Sequence, residues 1–233
     1  MKIQIFLYCL LALQSSSFFA VNAYRPEFES VVNRLTVGMS EYSKSNVISD
    51  LSRVPAERLE SFEAVVNRLT VGMSEYSKSY VISDLSRVPA ERLESFEAVV
   101  YRLTTGMGIS DKSRVISDLS RVPAERLESF EAVVNRLTVG MSEFSKSHVI
   151  SDLSGVPAER LESFEAVVDR LTTGIGRSDK SSVISALRCV PAERLTPEFE
   201  AVVNRLTVGM GGLDKSSVIG VLGYVPAERL ESF

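Results

Sequence analysis

The sequence predicts an all-α protein: an α-solenoid of six tandem two-helix repeats of about 34 residues. Three observations carry that prediction. The segment Val-Pro-Ala-Glu-Arg-Leu recurs, with its proline at Pro55, Pro89, Pro123, Pro157, Pro191 and Pro226. Between those prolines, apolar residues fall at helical spacing. A glycine closes the first half of every unit, at Gly38, Gly72, Gly106, Gly140, Gly174 and Gly209.

The unit Pro89 to Val122 sets the pattern. Its first helix is expected to start at Pro89, because proline is tolerated in a first helical turn, where its missing N–H would have no partner. Glu91 and Glu94 suit the positive end of the helix dipole. Leu93, Phe96, Val99, Val100 and Leu103 make one apolar stripe, and Gly106 supplies the left-handed cap that ends the helix. The second, shorter helix is expected to be N-capped by Asp111, matched by Ser43, Ser77, Ser145, Asp179 and Asp214. Val115, Ile116 and Leu119 form its buried stripe, and Val122, lying before Pro123, ends it. Units accordingly end near Val54, Val88, Val122, Val156, Val190 and Val225, and a partial helix follows. One such hairpin cannot cover its own stripe, so neighbours must stack.

The end units differ. Repeat one opens on Tyr24-Arg25-Pro26-Glu27-Phe28 and lacks the preceding Ala-Glu-Arg-Leu turn. Repeat six reads Leu195-Thr196-Pro197-Glu198-Phe199, one residue longer than the others. Pro197 cannot continue a helix begun at Pro191, whereas Thr196 can cap a new one, so a break is expected there. Two readings stand for the last residues: a cap in which Leu230 and Phe233 cover repeat six, or a truncation.

Residues 1–23 read as a signal peptide and 24–233 as the helical repeat domain. Met1-Lys2 gives a positive start, Ile3 to Leu13 is almost unbroken apolar sequence, and Val21-Asn22-Ala23 fits a signal-peptidase site. The alternative is an uncleaved anchor; export to the medium, periplasm or envelope is the expectation, without membrane insertion after cleavage. Removing residues 1–23 takes away Lys2 and no acid, leaving 25 basic and 30 acidic residues, a net charge of −5. That balance disfavours nucleic acid and anionic membrane as partners. Cys9 leaves with the signal, so Cys189 has no intrachain disulfide partner.

No catalytic, metal or cofactor site is expected. His148 and Cys189 are the only histidine and the only mature cysteine, more than a full repeat apart, and no calcium loop, zinc spacing or phosphate loop is present. Arg58, Arg92, Arg126, Arg160, Arg194 and Arg229 are expected to bond Asp84, Asp118 or Asp152 of a neighbouring repeat. Glu94, Glu97 and residue 101 are read as a wet, solvated face.

The informative positions are those at which near-identical repeats differ. The third position of the second helix carries Asn46, Tyr80, Arg114, His148, Ser182 and Ser217. Seven residues on stand Arg53, Arg87, Arg121, Gly155, Cys189 and Tyr224, along the same outward stripe. The preceding turns vary too, from Glu41-Tyr42 and Glu75-Tyr76 to Ile109-Ser110 and Gly212-Leu213. Tyr80, Arg87, Arg114, Arg121, His148, Cys189 and Tyr224 are therefore the candidate partner-facing residues, since Tyr and Arg are frequent interface anchors. Drift at unconstrained positions is the competing account. In the last two repeats the stripe turns apolar: Ala186 and Val221 replace Asp152, beside Cys189 and Tyr224. That suggests docking or self-association.

Val-Pro-Ala-Glu-Arg-Leu-Glu-Ser-Phe together with Val-Ile-Ser-Asp-Leu resembles the helical repeats of proteins exported by intracellular bacteria. In length and architecture the unit is similar to tetratricopeptide repeats. Ser95, Val99, Ser113 and Asp118, however, occupy that family's aromatic and alanine positions. The resemblance implies a helical-hairpin scaffold and brings no functional residues. The function expected is protein–protein interaction without catalysis; the alternative is a structural envelope or surface protein that self-associates end to end.

Overall fold

The computed structural model describes residues 26–230; the predicted signal segment 1–23 and Phe233 lie outside the described residues. Within this range the chain forms thirteen α-helices joined by short turns, and no strand. Repeat one contributes α1 (Pro26–Leu35) and α2 (Glu41–Leu51), and repeat two α3 (Leu59–Leu69) and α4 (Glu75–Leu85). Repeat three gives α5 (Leu93–Thr104) and α6 (Ile109–Leu119), and repeat four α7 (Leu127–Leu137) and α8 (Glu143–Ser154). Repeats five and six follow as α9 (Leu161–Leu171), α10 (Arg177–Arg188), α11 (Pro197–Leu206) and α12 (Gly212–Leu222). A last short helix, α13, spans Ala227–Leu230.

The chain divides into two compact units between Ala98 and Val99, inside α5. In the first unit α1 packs beside α3 and α2 beside α4, and each first helix also touches its own second helix. In the second unit α7, α9 and α11 neighbour one another in turn, as do α6, α8, α10 and α12. Helices of the same kind from successive repeats thus lie side by side within each unit. The predicted stripes of repeat three are buried: Leu93, Phe96, Val99, Val100 and Leu103 on its first helix and, fully so, Val115, Ile116 and Leu119 on its second. Each such side chain contributes about 1.5–3 kcal/mol when taken wholly from water.

The connections follow from local chemistry. All six cap glycines have positive φ, between 71° and 85°, and no other residue type does among the described residues. The threonine four residues after each Val-Val pair is buried, and its hydroxyl donates to the carbonyl of the second valine at 2.7 Å, as in Thr70 to Val66. That bond satisfies a polar atom which burial would otherwise leave without a partner.

Two boundaries differ from expectation. The first α-helix does not begin at the proline: Ala56–Arg58, Ala90–Arg92, Ala124–Arg126, Ala158–Arg160 and Ala192–Arg194 are 3-10 turns. The proline carbonyl is reached by the amide three residues on, as Arg58 N to Pro55 O at 2.9 Å. Arg58, at φ −110° and ψ −4°, then interrupts regular α geometry. The N-cap of the second helix lies three residues before the one expected. Ser40, Ser74 and Ser142 are the N-caps, each accepting from the amide of Ser43, Ser77 or Ser145, while Gly108, Gly176 and Gly211 hold that place elsewhere. Asp111, Asp179 and Asp214 lie inside the first turn, where acids favour the dipole.

The expected break in repeat six is present. Leu195 has ψ 59°, Thr196 accepts from Phe199 N at 3.3 Å, and Pro197 occupies the first turn of α11. The same Thr196 hydroxyl is the main cause holding the Glu198 carboxyl below its ordinary pKa. Leu230 is buried and α13 packs on α11.

Phe130, 3% exposed at the heart of α7, should on replacement by alanine cost roughly 3–5 kcal/mol in urea unfolding. Gly72→Ala should cost about 1–2 kcal/mol by the same measurement, because alanine does not share glycine's ease at φ 76°.

Candidate functional site

The outer stripe of the second helices is the candidate site, and its floor is set by small residues. Ser49, Ser83, Ser117, Ser151, Ser185 and Gly220 occupy one position in the six repeats. Over that floor in the first unit lies a groove of about 310 Å³ between α2 and α4. Tyr42, Asn46, Ser49 and Arg53 line one wall, and Tyr76, Tyr80, Ser83 and Arg87 the other. Tyr42 and Tyr76, read from sequence as turn residues, stand in the first turns of α2 and α4. A four-residue step then places Tyr76 against Tyr80. The two rings meet edge to face at 4.6 Å and their hydroxyls share a hydrogen bond of 2.7 Å. That bond is the chief cause raising the pKa of the Tyr80 phenol, with burial and nearby tyrosines adding to it.

At the other end of the groove Arg53 meets Asp50 at 3.2 Å and Arg87 meets Asp84 at 3.5 Å. Each pair has its carboxylate inside and its guanidinium outside: the side-chain exposures are 51% against 11% and 58% against 11%. Arg121 and Asp118 repeat the arrangement in the second unit at 3.6 Å. In that unit Arg114 donates to His148 Nε2 at 3.4 Å, which requires the proton of a neutral ring to sit on Nδ1. His148 also meets Phe144 edge to face at 4.5 Å. Cys189 caps α10 as an exposed free thiol, and Tyr224 is 82% exposed. All seven candidate residues are at the surface. The fold gathers Tyr80 with Arg87 and Arg114 with His148.

Arg58 and Arg194 are not bonded to the aspartates but to connector and helix-end carbonyls. Arg58 Nη2 donates to Ala90 O at 2.6 Å, and Arg194 Nη2 to Leu222 O at 3.3 Å. The short connectors bring a carbonyl within reach, while Asp50 and Asp152 are taken by Arg53 and Arg188.

Sequence reasoning missed a second set of arginines. Arg34, Arg68, Arg102, Arg136 and Arg170 make two-point bonds to Glu63, Glu97, Glu131, Glu165 and Glu200 on the first helix of the next repeat, at 2.5–2.7 Å. The Glu97 position is therefore not a solvated face: Glu63, Glu131, Glu165 and Glu200 are buried. Bonding to the carboxylate, opposed by burial, raises the pKa of each of these arginines. The signal was a spacing of 29 residues, five short of the repeat, which reading a single helix face does not reveal.

Two other clefts in the first unit are lined by motif residues used in packing, such as Pro55, Phe62 and Leu93 in one and Pro26, Val31 and Leu59 in the other. No protein-family model, curated protein or solved structure matches the chain.

A double-mutant cycle on Arg102→Gln and Glu131→Gln should give a favourable coupling in low salt that shrinks in concentrated KCl, because the guanidinium side is open to screening.

Proposed function

We propose that the protein is an exported α-solenoid scaffold that binds another protein along the outer stripe of its second helices. The observation that carries this reading is a division of labour among residues. The recurring apolar residues, cap glycines and arginine–glutamate pairs are engaged in the core, the turns and the contacts between first helices. The varying side chains of the second helices, Asn46 and Tyr80 in one compact unit and Arg114 and His148 in the other, are exposed in each. A constant scaffold with a varied aromatic and cationic row suits recognition of a protein surface. The acidic overall balance argues against a nucleic-acid duplex. Export rests on the sequence of residues 1–23 and on the resemblance to exported repeat proteins.

A second reading, end-to-end self-association, is favoured by the surface of repeat six. Val221 and Tyr224 are 67% and 82% exposed, and Leu206 and Val218 are less covered than the corresponding residues of every earlier repeat. Covering of α11 by α13 leaves Val221 in the open. Light scattering separates the readings: a mass that rises with concentration supports self-association, and a constant monomer mass counts against it.

A photo-crosslinking residue placed at position 80 or 148 should trap a discrete partner, whereas the same residue at position 60 or 162, on the first helices, should not. The triple variant Tyr80→Ser, Arg114→Ser, His148→Ser should lose that partner while keeping its unfolding midpoint. Equal trapping from both faces would contradict the proposed surface.

A further inference from the structure

We infer that the groove between α2 and α4 takes an extended acidic peptide, its apolar residues against Tyr42, Tyr76 and Tyr80 and its carboxylates on Arg53 and Arg87. The inference rests on the protein-binding reading above and names the chemistry of the partner.

The groove is polarised along its length. Its aromatic end stands at the first turns of the two helices, where Tyr42, Tyr76 and Tyr80 are 75%, 59% and 52% exposed. Its cationic end lies at the helix C-termini, where Arg53 and Arg87 stand eleven residues beyond Tyr42 and Tyr76. At 1.5 Å per residue the two ends are roughly 16 Å apart. A chain extended at about 3.3 Å per residue covers that distance in about five residues. Between the ends the walls fall away to Asn46, Ser49, Ser79 and Ser83. Their short polar side chains leave room for a backbone and offer it hydrogen bonds.

Charge selects the occupant. Four charged groups face this end: Arg53, Arg87, Asp50 and Asp84. The aspartates are buried, and more than half of each arginine side chain is in solvent, so an approaching ligand meets guanidinium first. Each aspartate is met through Nη1 alone, so the rest of each guanidinium is open to a second carboxylate. At the other end the Tyr76–Tyr80 bond and edge-to-face contact hold the rings in place. A rigid aromatic surface of this kind accepts proline or another ring at low entropic cost. A basic peptide would meet like charge at one end, and a wholly acidic one would leave the aromatic end unused.

The test is fluorescence anisotropy with the whole protein and labelled peptides of about eight residues. One peptide carries prolines followed by glutamates, one has lysines in place of the glutamates, and a single-stranded oligonucleotide of equal charge serves as a third probe. The glutamate peptide should bind, weaken in high salt and lose roughly tenfold or more in affinity in the double variant Arg53→Glu, Arg87→Glu. Tyr76→Ala with Tyr80→Ala should weaken it without changing its salt dependence. The double arginine variant should now take the lysine peptide, a gain that a merely unfolded protein would not show. No binding of the glutamate peptide, equal binding of the lysine peptide to the unaltered protein, or tighter binding of the oligonucleotide would overturn the inference. Failure here with successful crosslinking at position 80 refutes acidic-peptide recognition alone; failure of both refutes the binding surface as well.

Discussion

A two-helix unit of this sequence has more apolar surface than its own two helices can cover together. Phe62, Val65, Val66 and Leu69 of one first helix and Val81, Ile82 and Leu85 of its second are all within a few per cent of full burial. Part of that cover comes from the like helix of the adjacent repeat, as α1 beside α3 or α8 beside α10. Burial between copies is therefore the term on which every other feature depends. Caps, turns and ion pairs matter because they hold each copy at the angle and height at which the next one fits. The short glycine turn reverses the chain, and the Pro-Ala-Glu-Arg 3-10 turn reverses it again.

Arg34–Glu63 and its four counterparts refine this packing. Apolar stripes give adhesion but define poorly how far one helix slides along another, whereas a planar guanidinium meeting a carboxylate at two points tolerates little displacement. All five glutamates sit deeper than their arginines, by some 40% in side-chain exposure or more. The desolvation cost falls mainly on the carboxylate, and two hydrogen bonds offset it. The inserted residue of repeat six tests the point. Arg170 still reaches Glu200 although their separation is 30 residues instead of 29. The extra residue is absorbed before α11, at Leu195 and Thr196, so the rung is kept.

The helical class, the stripes, the glycine caps and the restart at Pro197 were legible in the sequence because each depends on a single residue type at a fixed helical offset. What was not legible depends on two residues in different repeats. Glu97 reads as solvated from its own helix and is paired only because Arg68 arrives from the helix before. Arg58 reads as a partner for aspartate and instead finds Ala90 O, since a connector carbonyl carries no mark in the sequence. The second-helix caps were misplaced by one turn because serine stands at both Ser40 and Ser43, and side-chain chemistry alone does not choose between them. Of the candidate site, the outward stripe was visible as variation between repeats. The aromatic wall was hidden because Tyr42 and Tyr76 were assigned to turns.

The outward stripe is varied but not free of constraint, as its charged pairs show. In repeats one to three a buried aspartate, at position 50, 84 or 118, has an arginine three residues on. In repeat four that arginine is Gly155, and Arg188 of the next repeat reaches back to Asp152 at 3.0 Å. A Cβ at Gly155 would stand 3.3 Å from Arg188 Nε, so the glycine gives the incoming side chain its room. In repeats five and six the aspartate is gone, replaced by Ala186 and Val221, and the arginine is gone with it, replaced by Cys189 and Tyr224. A buried carboxylate without a cation is costly, and an arginine without its carboxylate has nothing to fix its plane. The two positions therefore change as a pair, by exchange of the donor or by loss of both. In physical terms the buried carboxylate needs a cation, supplied by its own repeat at Asp50, Asp84 and Asp118 and by the next repeat at Asp152.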